Sequence, residues 1–164
     1  TGQRPLQRLD GLGLLTPGFM AVHMTALTDD DIRLCGARGL SVVHCAESNM
    51  KLASGQCRVD DLLDHGVNVA LGTDGAASNN DLDMFGEMRT AAMLAKLTTQ
   101  RATAFSAGQA LQAATLGGAR ALNLESVIGS LQPGKSADMI AVSMRQPNTW
   151  PVHNVISQLV YACD

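Results

Sequence analysis

Three short apolar runs, residues 19–24, 40–45 and 67–71, are separated by stretches with the spacing of single helices. Strands that alternate with helices in this way pair in parallel, through right-handed crossovers. Each run also ends in a polar residue of the same kind of use. His23 closes the first and His44 the second, and the third delivers Asp74 into Gly72-Thr73-Asp74-Gly75-Ala76-Ala77-Ser78-Asn79-Asn80. In α/β architectures the chemistry gathers just beyond the carboxyl ends of the strands. The fold class is therefore α/β.

The helices between the runs carry their own start and stop signals. Thr28 is placed to cap a helix whose first turn holds Asp29, Asp30 and Asp31, and Gly39 ends it. Residues 59–65 read as a helix closed by Gly66, with His65 at its C-terminal end. A polar loop is expected over 46–55, a long amphipathic helix over 82–97, and another helix capped by Ser106. Gly117-Gly118 interrupts that last helix and implies close packing. Residues 1–15 read as a short helix stopped by Gly11 and Gly13.

From Gly129 the pattern changes. Ser130-Leu131-Gln132-Pro133-Gly134-Lys135 is turn-rich, and residues 137–142 and 155–162 read as strands with no helix between them. Residues 1–128 are thus expected to form one unit and 129–164 the start of a small β domain. Three strands cannot close a barrel. With no Met at position 1 and a strand-like run up to Ala162, a piece of a longer protein is expected.

The chain has 164 residues, a net charge of −3 and only 3% aromatic residues. Without a basic stripe or aromatic stacking platforms, nucleic acid is not an expected partner. No apolar run reaches bilayer length, so no membrane role is expected. Cys35, Cys45, Cys57 and Cys163 form no Cys-x-x-Cys pair, which suits free thiols in a reducing compartment, and a cytoplasmic location is expected.

Asp74 suits a divalent-metal ligand that also takes a proton from water; it suits a turn aspartate equally well. His23 and His44 each read, taken alone, as strand-end histidines of a core. If the three strands are neighbours, the three side chains converge on one spot, where acid–base or metal chemistry becomes the better account. Glu47, Ser48 and Asn49 follow His44 and could bond a polar substrate. No Walker loop, Gly-x-Ser-x-Gly elbow or dinucleotide fingerprint occurs.

Together, Ala21-Val22-His23-Met24-Thr25, the run from Val42-Val43-His44 through Glu47-Ser48-Asn49 to Ser54-Gly55, and the Asp74 loop resemble the metal-dependent amidohydrolase superfamily. The branch is that of the 5-methylthioadenosine/S-adenosylhomocysteine deaminases, with the triazine hydrolases and chlorohydrolases beside it. The resemblance implies the C-terminal part of a (β/α)8 TIM barrel, about three βα units corresponding to strands six to eight. It also implies the start of a returning β-sandwich from Gly129. His23 would match the strand-six histidine that orients water. Asp74 would be both a metal ligand and the proton acceptor, and would face the substrate. His44, Glu47 and Asn49 would line the substrate pocket. The cofactor implied is one divalent metal, zinc with iron as the alternative. The family's His-x-His, its strand-five histidine and its acid–base glutamate have no counterpart in the chain. The expectation is a full-length hydrolase that deaminates an adenine-type ring, and an inactive fragment. Triazine hydrolysis, guanine deamination and a non-catalytic interaction module are the alternatives. Substrates would be purine-like or triazine small molecules. Uncovered strand edges leave a homo-oligomer open.

Overall fold

The computed structural model describes residues 2–163; Thr1 and Asp164 lie outside the described residues. Three parallel strands, β1 (Met20–Val22), β2 (Ser41–His44) and β3 (Asn68–Leu71), form one sheet in the order β1-β2-β3. The register pairs Val22 with Val43 and His44 with Leu71. Two further bonds extend the ladder past the strand ends: His23 N donates to Val43 O at 2.9 Å and Gly72 N to His44 O at 3.1 Å. The polar residues that end the three runs are thereby aligned along one edge.

The expected helices form where their caps direct. Helix α1 spans Pro5–Gly11. Helix α2 (Asp29–Arg38) begins in a full capping box between Thr28 and Asp31 and ends at Gly39, whose φ of 65° a side chain would resist. Asp31, 2% exposed, also pairs with Arg4 at 2.6 Å, tying the start of α1 to α2. Helix α4 (Val59–Asp64) is capped at its C-terminus by His65. Ile32, Cys35, Leu40, Val42, Leu62 and Val69 make the core between these helices and the sheet.

The segment after β2 is not the polar loop that its composition suggests. It forms helix α3 (Ala46–Lys51), because a buried carboxylate, Glu87, accepts from Ala46 N at 3.0 Å and supplies the cap that Cys45 does not. A single turn, α5 (Ala76–Asn79), forms within the Asp74 loop. The long helix α6 (Met84–Thr99) starts two residues later than the apolar pattern implies, since Asp83 accepts from Phe85 N and Gly86 N. Helix α7 (Ala107–Gln112) opens in a Ser106–Gln109 capping box. It continues as a π-helical turn over Ala113–Gly117 and then α8 (Gly118–Ala121). A Cβ on Gly117 would lie 2.5 Å from Val69 O, so glycine is what lets this helix touch β3.

Two strand expectations fail. Val155–Tyr161 is a helix, α9, capped by Asn154 through Ser157 N, with Val160 fully buried. Packing against α6 and α7 outweighs the β-branched composition. Residues 137–142 form no strand, and Met139 and Ile140 stand 65% and 77% exposed. Extended backbone needs a neighbour to become sheet, and none of the described strands lies beside it.

Candidate active site

At the C-terminal edge of the sheet the backbone turns sharply. His23, Met24 and Asp74 adopt left-handed φ of 69°, 50° and 63°. Non-glycine residues hold this conformation only where their surroundings impose it, and such positions cluster at functional sites. The Asp74 surroundings are explicit. Ser48 Oγ donates to Oδ2 at 2.8 Å, Ser78 Oγ to the same oxygen at 2.9 Å, and Gly75 N to Oδ1 at 2.8 Å. These bonds, that of Ser48 first, hold the Asp74 carboxyl below the usual carboxylate range, and a charge on His23 adds to the effect. Asp74 is thus a fixed, ionised carboxylate at an open face.

His23 approaches it. Its Nε2 lies 3.7 Å from Asp74 Oδ2, and its Nδ1 lies 2.9 Å from Asn49 Oδ1. With an amide oxygen facing it, Nδ1 is a donor, and Nε2 is the nitrogen turned toward Asp74. His44 is 1% exposed; burial, and then the nearby His23, lower its pKa to about 4, so it is neutral near pH 7. His44 Nδ1 and Asn49 Nδ2 are buried without a hydrogen-bond partner among the described residues. Burial also raises the Cys45 thiol to about 11, helped by Glu87 and Asp74, so it stays protonated.

The sheet thus brings His23 and Asp74 together, with Asn49 behind His23. Glu47 turns the other way. Its carboxylate accepts from Asn79 Nδ2 at 3.1 Å and Thr90 Oγ1 at 2.9 Å, on the α6 side of α3. Sequence reasoning overlooks Ser78, Asn79 and Glu87 as contributors. Glu87 does leave a signal, since it falls in the stripe Glu87, Ala91, Ala95 that α6 buries. A cavity of about 510 Å³, lined by Val67, Asn68, Gly117 and Arg120, opens at the opposite end of β3 and is not part of this site.

One carboxylate and one imidazole are ligand types that zinc and iron accept. They make part of a centre only. A catalytic zinc takes three protein ligands, and no group of three His, Cys, Asp or Glu side chains able to hold a metal occurs among the described residues.

The chain is 54% identical over 160 residues to a 5-methylthioadenosine/S-adenosylhomocysteine deaminase of Teredinibacter turnerae, which covers 98% of the chain and 36% of that relative. An adenosine deaminase from Xanthomonas campestris with bound zinc superposes with a TM-score of 0.96 at 58% identity, covering 99% of this chain and 37% of that one. The atrazine chlorohydrolase of Arthrobacter aurescens, complexed with zinc, matches with a TM-score of 0.86 at 25% identity, covering 97% and 35%. The chain spans little more than a third of the length of these proteins, and its three βα units correspond to part of their TIM barrel. The model of the amidohydrolase family matches residues 1–161, and the chain belongs to that family.

Proposed function

We propose that the full-length protein is a metal-dependent hydrolase that removes the amino group from an adenine-type ring. Its substrate would be 5-methylthioadenosine or S-adenosylhomocysteine. The observation that carries this reading is Asp74, ionised, fixed by Ser48, Ser78 and Gly75, with His23 Nε2 3.7 Å away. The deaminase names of relatives such as the 54% identical Teredinibacter protein direct it to adenine-type rings.

Asp74 would hold the cation through the lone pairs its three hydrogen bonds leave free, and would receive the proton released from water. His23, kept as the Nδ1–H tautomer by Asn49, would accept a hydrogen bond at Nε2 and so orient that water. When bound, a divalent metal, zinc or iron, would supply Lewis-acid activation of water. His44 and Asn49, each with a buried unpartnered nitrogen, would line the substrate pocket. Glu47 would join them only by exchanging Asn79 or Thr90 for substrate. The remaining ligands and the ring-protonating acid would come from outside these residues, so the fragment alone would be inactive. Within residues 129–164, the segment before α9 would begin a β-sandwich in the full-length protein, where Met139 and Ile140 would find cover. Four buried free thiols suit a cytoplasmic setting.

The likeness to the atrazine chlorohydrolase makes triazine hydrolysis the second reading. The test is product release by the full-length protein from S-adenosylhomocysteine, methylthioadenosine, guanine and atrazine. Ammonia from the first two supports the proposal. Ammonia from guanine alone, or chloride from atrazine alone, replaces it.

A further inference from the structure

Glu87 has no exposed surface, yet it sits in the buried stripe of α6 with Ala91 and Ala95, where an apolar residue would cost less. Its carboxylate is taken up by amide donors from two other elements. Oε2 accepts from Ala46 N at 3.0 Å and Glu47 N at 3.4 Å, the first two amides of α3. Oε1 accepts from Asn79 Nδ2 at 3.0 Å, on α5. Asn79 is fixed in turn, since its Oδ1 accepts from Leu82 N at 2.7 Å. Gly86 makes room for the arrangement: a Cβ there would lie 3.1 Å from Glu47 Oε1.

The two elements that Glu87 joins are the two that hold Asp74. Ser48, on α3, and Ser78, on α5 beside Asn79, both donate to Asp74 Oδ2. Asn49, also on α3, faces His23. We infer that Glu87 is a positioning residue: by anchoring α3 and α5 to one buried carboxylate, it fixes Ser48 and Ser78 against Asp74 and Asn49 against His23. It touches neither substrate nor metal. The inference rests on the reading of Asp74 as a metal-holding carboxylate.

Zinc affinity of the full-length protein, measured by competition with a chromogenic chelator, tests it alongside kcat and KM for ammonia release. Glu87→Ala should weaken zinc binding and lower kcat by about tenfold or more, with KM changed less than about twofold, the scale seen when a ligand's supporting partner is removed. Glu87→Gln keeps an oxygen to accept from Ala46 N but sets an amide nitrogen against Asn79 Nδ2, so it should fall between the parent and Glu87→Ala. Ser48→Ala added to Glu87→Ala should cost little more, because both act through the same contact. Parent-like zinc affinity in Glu87→Ala, or fully additive losses in the double variant, overturns the inference. If Glu87→Ala does not fold, Asn79→Ala decides, since it leaves the Glu87 cap on α3 and removes the tie to α5 together with the bonds of Asn79 to Glu47 and Leu82 N: weaker zinc binding supports the assignment and parent-like binding refutes it. A parent that binds zinc but releases no ammonia defeats the deaminase reading alone. A parent that binds no zinc defeats both.

Discussion

Asn49 Oδ1 lies 2.9 Å from His23 Nδ1, and this one contact sets which nitrogen of the imidazole faces Asp74. Asn49 is 1% exposed and rides on α3, whereas His23 ends β1, so the pair also locks the helix to the strand end. Replacing Asn49 by leucine removes the acceptor and frees the ring to rotate or change tautomer. In the full-length protein kcat should fall by about tenfold to a hundredfold while the protein stays folded. Steady-state kinetics with a thermal melt on the same sample checks this, and an unchanged kcat would show that His23 needs no such orientation.

Asp74→Asn tests the carboxylate itself. The amide keeps an oxygen for the Ser48 hydroxyl but loses the charge that binds a cation and the basicity that takes a proton. Turnover by the full-length protein should drop by more than about a thousandfold, and its bound metal should fall with it. Metal analysis per polypeptide beside the rate separates the two losses; wild-type values for both would remove Asp74 from the site.

Strand ends and local caps are legible in the amino-acid sequence alone. His23, His44 and Asp74 stand at the ends of parallel strands, and Thr28 and Ser106 cap helices, because periodicity and capping chemistry act over a few residues. Helix α3 is not legible in this way. Its cap, Glu87, lies 41 residues from Ala46, and six residues that read as a polar loop become helical only when that carboxylate arrives. Helix α9 reads as a strand for a related reason, since Val160 is buried by helices distant in sequence. Asp74 itself is balanced between turn and ligand in the sequence, because its partner Ser48 comes from another element, 26 residues away.

Glu87 and His44 should leave opposite marks on stability as pH changes. Burial and then Glu47 raise the Glu87 pKa from 4.5 to about 7, against the amide hydrogen bonds, so the folded state binds more protons than the unfolded state in that window. Its contribution to stability falls as pH rises from 4.5 through 7 and is level above. His44, lowered from 6.5 to about 4, does the reverse: stability falls as pH drops from 6.5 toward 4. The two slopes oppose each other between pH 4.5 and 6.5. Glu87→Gln removes one of them, so the variant should gain stability relative to the parent as pH rises from 4.5 to 7, by roughly 2–3 kcal/mol in all. Urea midpoints across that range measure it, and parallel parent and variant curves would rule it out.

The neighbouring glycines 117 and 118 should answer the same substitution differently. At Gly117 an added methyl carbon would stand 2.5 Å from Val69 O and 3.2 Å from Gln112 O, both backbone atoms that cannot swing aside. The π-helical turn would have to lift from β3, weakening the bond from Asn68 Nδ2 to Gly117 O, now 3.0 Å. Gly117→Ala should therefore destabilise the full-length protein by about 1–3 kcal/mol, the usual cost of overpacking. At Gly118, one residue on and equally helical, the same carbon meets nothing within 4 Å. There the gain in helix propensity acts alone, and Gly118→Ala should be neutral or stabilising by up to about 1 kcal/mol. Paired thermal or urea unfolding of the two variants decides the matter. Equal effects would mean that the contact between the π-helical turn and β3 does not set the spacing of helix and sheet.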